Sequence, residues 1–378
     1  YRGSVLEATL VSGQKVVPML HPAALLHGRR WEYYYVSIAD LKRAKLEAAF
    51  TGVRKPNYEK IFNPNLEQAV DWLRMAARGG KRWCLDLETR GGSIACVGLG
   101  SGTNNGDIST ICIPIQTTKA AYWTPREEAQ IRQALAHLMS SNPNLVGQNI
   151  FAFDLDWLLD WGLEPSGILM DTMSAFALLY PELPKALEFV NSLYGSLPYY
   201  KFEAKTWSSS IPDADLWEYN LKDIYSTLEC SWEIEADLKE TNLWELYQNY
   251  CIPVHFAALE IQKRRIHIDF TEQERARRIV LEELDRVQQQ RHEVLKKYEP
   301  ELIKLTSTKH KRASSDVTEE IPATPITAET FNVGSPKQMH LLVFGAMGLP
   351  ARHNRKTKKL TTDEEHLLDL IAYYPEKT

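Results

Sequence analysis

The sequence runs to 378 residues, 44% apolar and 25% charged, with a net charge of −5. That length suits two or three separately packed units. No apolar run approaches the ~18 residues of a membrane-spanning helix, and the opening residues are not expected to be a signal peptide. The first 240 residues carry a net charge of −6 and the last 138 a net of +1. A surface coated in basic residues is thereby excluded, and any contact with nucleic acid must come from local patches. Cys84, Cys96, Cys112, Cys230 and Cys251 stand singly, without a C-x-x-C pair. Neither a zinc site nor a disulfide framework is suggested, and the odd count fits a reducing compartment, the cytoplasm. Tyr1 in place of Met is what a fragment or a processed piece would show.

In chain order, residues 1–50 hold a short apolar run, His21-Pro22, an aromatic cluster around Trp31 and a predicted helix over 40–50. Such a piece is too small to bury a full core, so 1–52 is expected to be a remnant and 53–64 a polar, proline-punctuated linker. A helix over 66–77 then leads into a strand over 83–87. Apolar runs at 94–99 and 109–115, separated by the Gly/Asn-rich stretch 100–106, complete a three-stranded meander. A helix over 125–139, a short strand at 144–146 and a helix over 153–161 follow. Alternation of this kind predicts an α/β domain over 65–242, a mixed sheet flanked by helices. Helices are expected over 184–194, 213–240, 243–265 and 271–298, a mobile segment at 306–328, and further helices over 336–347 and 363–373.

Three short patterns carry chemistry. Asp86 and Glu88 stand at i and i+2 of a strand and therefore share a face. Two carboxylates there repel unless a hard divalent cation lies between them; alone, the pair reads equally well as a solvated strand end. Asp154 opens a helix after Gly147-Gln148-Asn149-Ile150-Phe151-Ala152-Phe153, a place where Asp is also an ordinary N-cap. Tyr219 and Asp223 lie at i and i+4 of a helix, so phenol and carboxylate address one point; a surface pair would have the same spacing. Together the patterns bring four carboxylates and a tyrosine into one order along the chain.

That order resembles the three motifs of the DEDD exonuclease superfamily, in the subclass with Tyr in the third motif. The stretches Asp171-Thr172-Met173, Leu179-Tyr180-Pro181-Glu182-Leu183-Pro184-Lys185 and Pro198-Tyr199-Tyr200-Lys201 are similar to phage-type proofreading domains. The resemblance, over about 65–240, implies a ribonuclease-H-like fold and 3'→5' hydrolysis of DNA. Asp86, Glu88, Asp154 and Asp223 would hold two Mg²⁺ or Mn²⁺ ions, and Tyr219, helped by Glu88, would orient the attacking water. Leu87, Thr89, Asn149 and Phe153 would line the channel for the 3' end of a single strand or a frayed primer terminus, with Leu87 or Phe153 stacking on bases.

Residues 243–378 resemble the thumb and its approach in family A DNA polymerases. The resemblance is carried by Arg265-Ile266-His267-Ile268-Asp269, Phe331-Asn332-Val333-Gly334-Ser335-Pro336-Lys337-Gln338 and Thr361-Thr362-Asp363-Glu364-Glu365. It implies proofreading during DNA replication in a bacterial or phage-infected cell. Palm and fingers motifs are missing, so polymerisation is not expected of this chain, and a separate C-terminal polymerase half is a candidate partner. The basic stretches 309–312 and 352–359 are candidate phosphate contacts. Residues 1–50 resemble the end of a family 4 uracil-DNA glycosylase through Arg2-Gly3-Ser4, Val16-Val17-Pro18 and His21-Pro22-Ala23-Ala24-Leu25-Leu26; without the upstream half this remnant is expected to be inert. Two rival functions stand beside the exonuclease reading: an RNA-trimming exonuclease of the RNase D kind, and a non-catalytic DNA-binding module.

Overall fold

The computed structural model describes residues 2–27, 30–104, 106–201, 211–307, 325–354 and 358–376. The basic stretch at 309–312, most of the expected mobile segment and the tip of the 352–359 loop lie outside the described residues. The chain divides into two compact units, Tyr1–Arg265 and Ile266–Thr378.

The first unit opens with a two-stranded ribbon, β1 (Leu6–Glu7) and β2 (Lys15–Val16), then α1 (Pro22–His27) and α2 (Tyr34–Glu47). The next elements are β3 (Glu59–Ile61), α3 (Leu66–Arg78), β4 (Arg82–Arg90), β5 (Ser93–Gly102), β6 (Ser109–Pro114), α4 (Pro125–Ser141), β7 (Leu145–Gly147) and α5 (Asp154–Asp160). They are followed by β8 (Ile168–Asp171), α6 (Thr172–Leu179), α7 (Leu187–Tyr194) and α8 (Asp213–Glu240). The unit closes with α9 (Trp244–Leu246), a π-helical turn over Tyr247–Cys251, and α10 (Ile252–Arg264).

Six strands form one sheet in the order β3-β6-β5-β4-β7-β8. β4, β5 and β6 are the expected antiparallel meander, whereas β3, β7 and β8 pair in parallel with their neighbours. This is an α/β fold with a mixed sheet and helices on it. Capping boxes start two of those helices: Asn65 and Gln68 exchange side-chain-to-backbone bonds at α3, and Thr124 and Glu127 do so at α4, with Pro125 next. Each cap satisfies donors that the first helical turn otherwise leaves open. Leu73 and Ala76 of α3 and Leu135 and Leu138 of α4 join Trp83 and Leu85 of β4 in the main core. The long α8 packs on β4, β5 and β6, and it approaches closely because β5 carries Gly98 and Gly100 beneath it. Side chains there would collide with Asn220 and Ile224.

Several elements differ from expectation. β3 falls in the stretch read as linker; Glu59-Lys60-Ile61 is polar in composition yet adds an edge strand to β6. β8 and α6 have no counterpart among the elements expected from sequence. The second helix of the N-terminal segment begins at Tyr34, inside the aromatic cluster, and ends at Glu47. That segment is fastened to the sheet domain. Arg43 donates to the Leu193 carbonyl at 2.8 Å and Ser4 Oγ accepts the Tyr199 N–H at 2.9 Å, while within the segment Arg2 Nη1 donates to Asp40 at 2.6 Å and Arg43 to the Gly3 carbonyl at 2.8 Å. His21 accepts Ala23 N–H at the start of α1.

The second unit is helical: α11 (Phe270–Thr306), α12 (Pro336–His340), a π-helical turn over Leu341–Ala346, and α13 (Glu364–Tyr373). Leu295 and Leu302 of α11 pack with Ala328, Phe331 and Leu342. The helix expected over 271–298 runs on to Thr306 with Pro300 inside it. No helix among the described residues is long and apolar enough to cross a membrane.

Candidate metal centre

β4 begins buried on both faces, with Trp83, Cys84 and Leu85 all in the main core. From Leu85 on it alternates: Leu85 and Leu87 are buried in that core, and Asp86 and Glu88 point the other way. Asp86 stands opposite Gly98 of β5 and Glu88 opposite Cys96. Cross-strand partners share a face, and Gly98 lies against Asn220 of α8, so both carboxylates face that helix. One turn further along α8 stands Asp223. Carboxylate oxygens of Asp86, Glu88 and Asp223 lie within 4.8 Å of one another. Asp154 joins by a different route. It is not the cap of α5 but the first residue of the helix, 2% exposed, and its Oδ1 accepts the Leu87 N–H at 2.8 Å. The fourth carboxylate is thus tied to the strand between the first two.

Around Asp223 the hydrogen bonding is dense. Tyr200 OH donates to its Oδ1 at 2.6 Å and Lys201 Nζ to its Oδ2 at 2.6 Å. Lys201 also donates to the Tyr219 hydroxyl and lies 4.4 Å above that ring. Tyr219 is 6% exposed, with its ring 5.8 Å from that of Tyr200. Tyr200, Lys201 and Asn220 take part in the site although the sequence motifs assign them no role. The only signal is the place of Tyr200 and Lys201 in a stretch similar to proofreading domains. Asn220 donates from Nδ2 to the Asp86 carboxylate at 2.8 Å and to the Asp86 carbonyl at 3.2 Å.

The remaining expected residues separate. Phe153 is 39% exposed beside Asp154, its ring in an edge contact with Trp157. Asn149 holds a left-handed backbone (φ 60°), and its N–H donates to Asp171 at 3.0 Å. Thr89 is half-buried beyond a register shift in β4. Leu87 departs from expectation. At 3% exposure its side chain belongs to the core and offers no face to a base; its backbone N–H, held by Asp154, is what serves the site.

Burial and mutual repulsion raise the proton affinity of these carboxyls. Asp86 is pushed up to about 7 by burial and by the charge of Asp223. Glu88 and Asp154 are raised by burial and by Asp86, and Asp223 by burial, opposed by Lys201. Carboxylates that resist ionisation together are a donor set that a divalent cation satisfies. An ammonium already seated on Asp223 is a second sign that positive charge is wanted there. The residues fit a hard cation such as Mg²⁺ or Mn²⁺, with oxygens of Asp86, Glu88 and Asp223 as ligands.

The raised Asp86 has a measurable consequence. Its folded state binds the proton more tightly than the unfolded chain, so its contribution to stability falls as pH rises from about 4 to about 7. Asp86→Asn mimics the protonated acid. In chelator at pH 8 this variant is expected to melt above the wild type, and at pH 5 the difference should shrink. Scanning calorimetry checks it; equal melting points at pH 8 would contradict the repulsion described.

Fold and site together define an α/β protein with acidic side chains gathered on one face of a mixed sheet. No protein-family model and no curated protein matches the chain. Among solved structures, the POL domain of Pol1 from M. smegmatis, in complex with DNA primer-template and dNTP, is 15% identical with a TM-score of 0.46. The match covers 84% of this chain and 46% of that one, so the present chain spans under half of that protein. Brucella melitensis NrnC is 15% identical over 55% of this chain and 93% of its own, at 0.38. Escherichia coli RNase D, an exoribonuclease involved in structured RNA processing, is 14% identical over 56% and 52%, at 0.39. Likenesses this distant assign no activity.

Proposed function

We propose that this chain is a metal-dependent 3'→5' exonuclease acting on single-stranded DNA ends, as the proofreading part of a DNA polymerase. The observation that carries the reading is the convergence of Asp86, Glu88 and Asp223, with Asp154 tied to the same strand and Tyr219 one turn from Asp223. Asp86, Glu88 and Asp223, joined by Asp154, would hold two Mg²⁺ or Mn²⁺ ions. When bound, these supply Lewis-acid stabilisation of charge on the scissile phosphate and lower the pKa of the attacking water.

The protein's own groups do the rest. Glu88 and the Tyr219 hydroxyl face the cluster and would orient the attacking water toward the terminal phosphodiester. Burial and the neighbouring carboxylates hold the Tyr219 phenol far above its ordinary pKa. It would act by hydrogen bonding to that water. Phe153 offers a sequence-tolerant stacking surface, as removal of any mispaired base requires. Lys201, which donates to Asp223 and to the Tyr219 hydroxyl, would supply positive charge beside the phosphate.

The polymerase setting rests on the motifs of residues 243–378 and is the part of the proposal that separates DNA from RNA as substrate. Rates on matched single-stranded DNA and RNA oligonucleotides decide it. The proposal expects DNA to be degraded faster by at least about 10-fold, roughly 1.4 kcal/mol of transition-state discrimination; a preference for RNA would favour the RNA-trimming alternative.

A further inference from the structure

We propose that Asn220 is a positioning residue for the metal ligand Asp86, and that Gly98 is glycine to make room for it. The inference rests on the metal-site reading above and deepens it. Asn220 is fully buried on α8, between Tyr219 and Asp223. Its Nδ2 makes two hydrogen bonds, both to Asp86, one to the carboxylate and one to the backbone carbonyl. Those bonds fix the side-chain torsion of Asp86 relative to its own strand. They leave the other carboxylate oxygen, Oδ1, uncommitted to the amide.

Two observations show that the position is given over to this contact. First, the carbonyl end of the amide, Oδ1, is buried and has no hydrogen-bond partner among the described residues. An unsatisfied buried acceptor is destabilising. Packing alone would be served better by a leucine, which has the same branched shape and no polar atoms. Second, the opposite strand has been cleared for the amide. A Cβ built on Gly98 would lie 2.6 Å from Asn220 Cγ and 2.7 Å from Nδ2, closer still to Oδ1. Gly98 is the cross-strand partner of Asp86. One cross-strand pair thus contributes the ligand on one side and the space for its positioning amide on the other. Partners that orient metal ligands commonly change metal affinity by about 10–100-fold when removed.

The test is Mn²⁺ binding measured by calorimetry on the whole chain, beside its melting temperature. Asn220→Leu is expected to keep or raise the melting temperature and to weaken Mn²⁺ binding by about 10-fold or more. A merely structural asparagine would give the reverse: lost stability with unchanged affinity. Gly98→Ala should weaken Mn²⁺ binding similarly, by driving the amide from Asp86. In an Asn220→Ala background the same change should add little, because the obstructed group is gone. That cycle carries the test if Asn220→Leu does not fold. Mn²⁺ affinity within twofold of wild type in Asn220→Leu, or full additivity in the cycle, would overturn the proposal. Wild-type protein that binds no Mn²⁺, or binds it equally after Asp86→Ala, would instead overturn the metal-site reading itself.

Discussion

Asp86→Ala and Asp223→Ala are expected to bring DNA degradation down to background, and Tyr219→Phe to leave it slow but measurable. The difference follows from what each side chain touches. Asp86 and Asp223 each supply an oxygen to the cluster, and their oxygens lie within 4.8 Å of each other and of Glu88. Removing either leaves the set one donor short and unbalances its charge. In Asp223→Ala, Lys201 and Tyr200 also lose their shared acceptor. Tyr219→Phe keeps the ring, its edge contact with Tyr200 and its place beneath the Lys201 ammonium. Only the hydroxyl is lost. Groups that position a nucleophile or move its proton contribute roughly 10²–10⁴-fold, so Tyr219→Phe should fall within that range with Mn²⁺ affinity near wild type. The ligand variants should fall further and lose Mn²⁺ affinity. Single-turnover degradation rates paired with calorimetry check this. Wild-type rates in both Tyr219→Phe and Asp223→Ala would reduce this part of α8 to a structural element.

The largest effect on stability is expected at Trp83, and it separates scaffold from site. Trp83 is fully buried one residue into β4, and its indole N–H donates to the Asn142 carbonyl at 2.9 Å. Its strand pairs with β5 on one side and β7 on the other at this level. Trp83→Ala leaves a cavity between the sheet and its helices and strips the Asn142 carbonyl of a donor. Truncations of this kind cost about 3–5 kcal/mol, which denaturant titration of the intact chain would read as a lower midpoint with little change in slope. Trp83→Phe refills most of the space and should recover more than half of the loss. If Trp83→Ala unfolds at the wild-type midpoint, the core assigned to β4 is wrong.

The centre of the site is legible in the sequence because its chemistry and its periodicity coincide in a few residues. An apolar strand with acids at alternate positions puts Asp86 and Glu88 on a common face through the pleat alone. The four-residue spacing does the same for Tyr219 and Asp223 on a helix. The edges of the sheet are not legible. Glu59-Lys60-Ile61 is three residues long and mostly polar, and becomes a strand only because β6 offers it an edge. Asp154 is readable as an acid at a helix start, but its partner, the Leu87 N–H, is a tertiary fact. Leu87, by contrast, is legible by the rule that places its neighbours: the pleat that puts Asp86 and Glu88 on one face turns the residue between them into the core, and only its adjacency to the site in sequence suggests otherwise. Asn220 carries no signal at all: a polar residue on a long helix is ordinarily solvated, and here only glycine on a strand beneath makes it a buried donor.

We propose that the Asp86, Glu88 and Asp223 cluster, with Asp154, runs metal-dependent hydrolysis from a 3' end. The most direct measurement follows a 5'-labelled single-stranded DNA oligonucleotide on a sequencing gel, with Mg²⁺ and then with excess EDTA. The expected product is a ladder that shortens one nucleotide at a time from the 3' end, stops completely in EDTA and resumes when Mg²⁺ or Mn²⁺ is restored. Degradation that continues undiminished in chelator, or a 5'-labelled product released as a single mononucleotide from the other end, would contradict it.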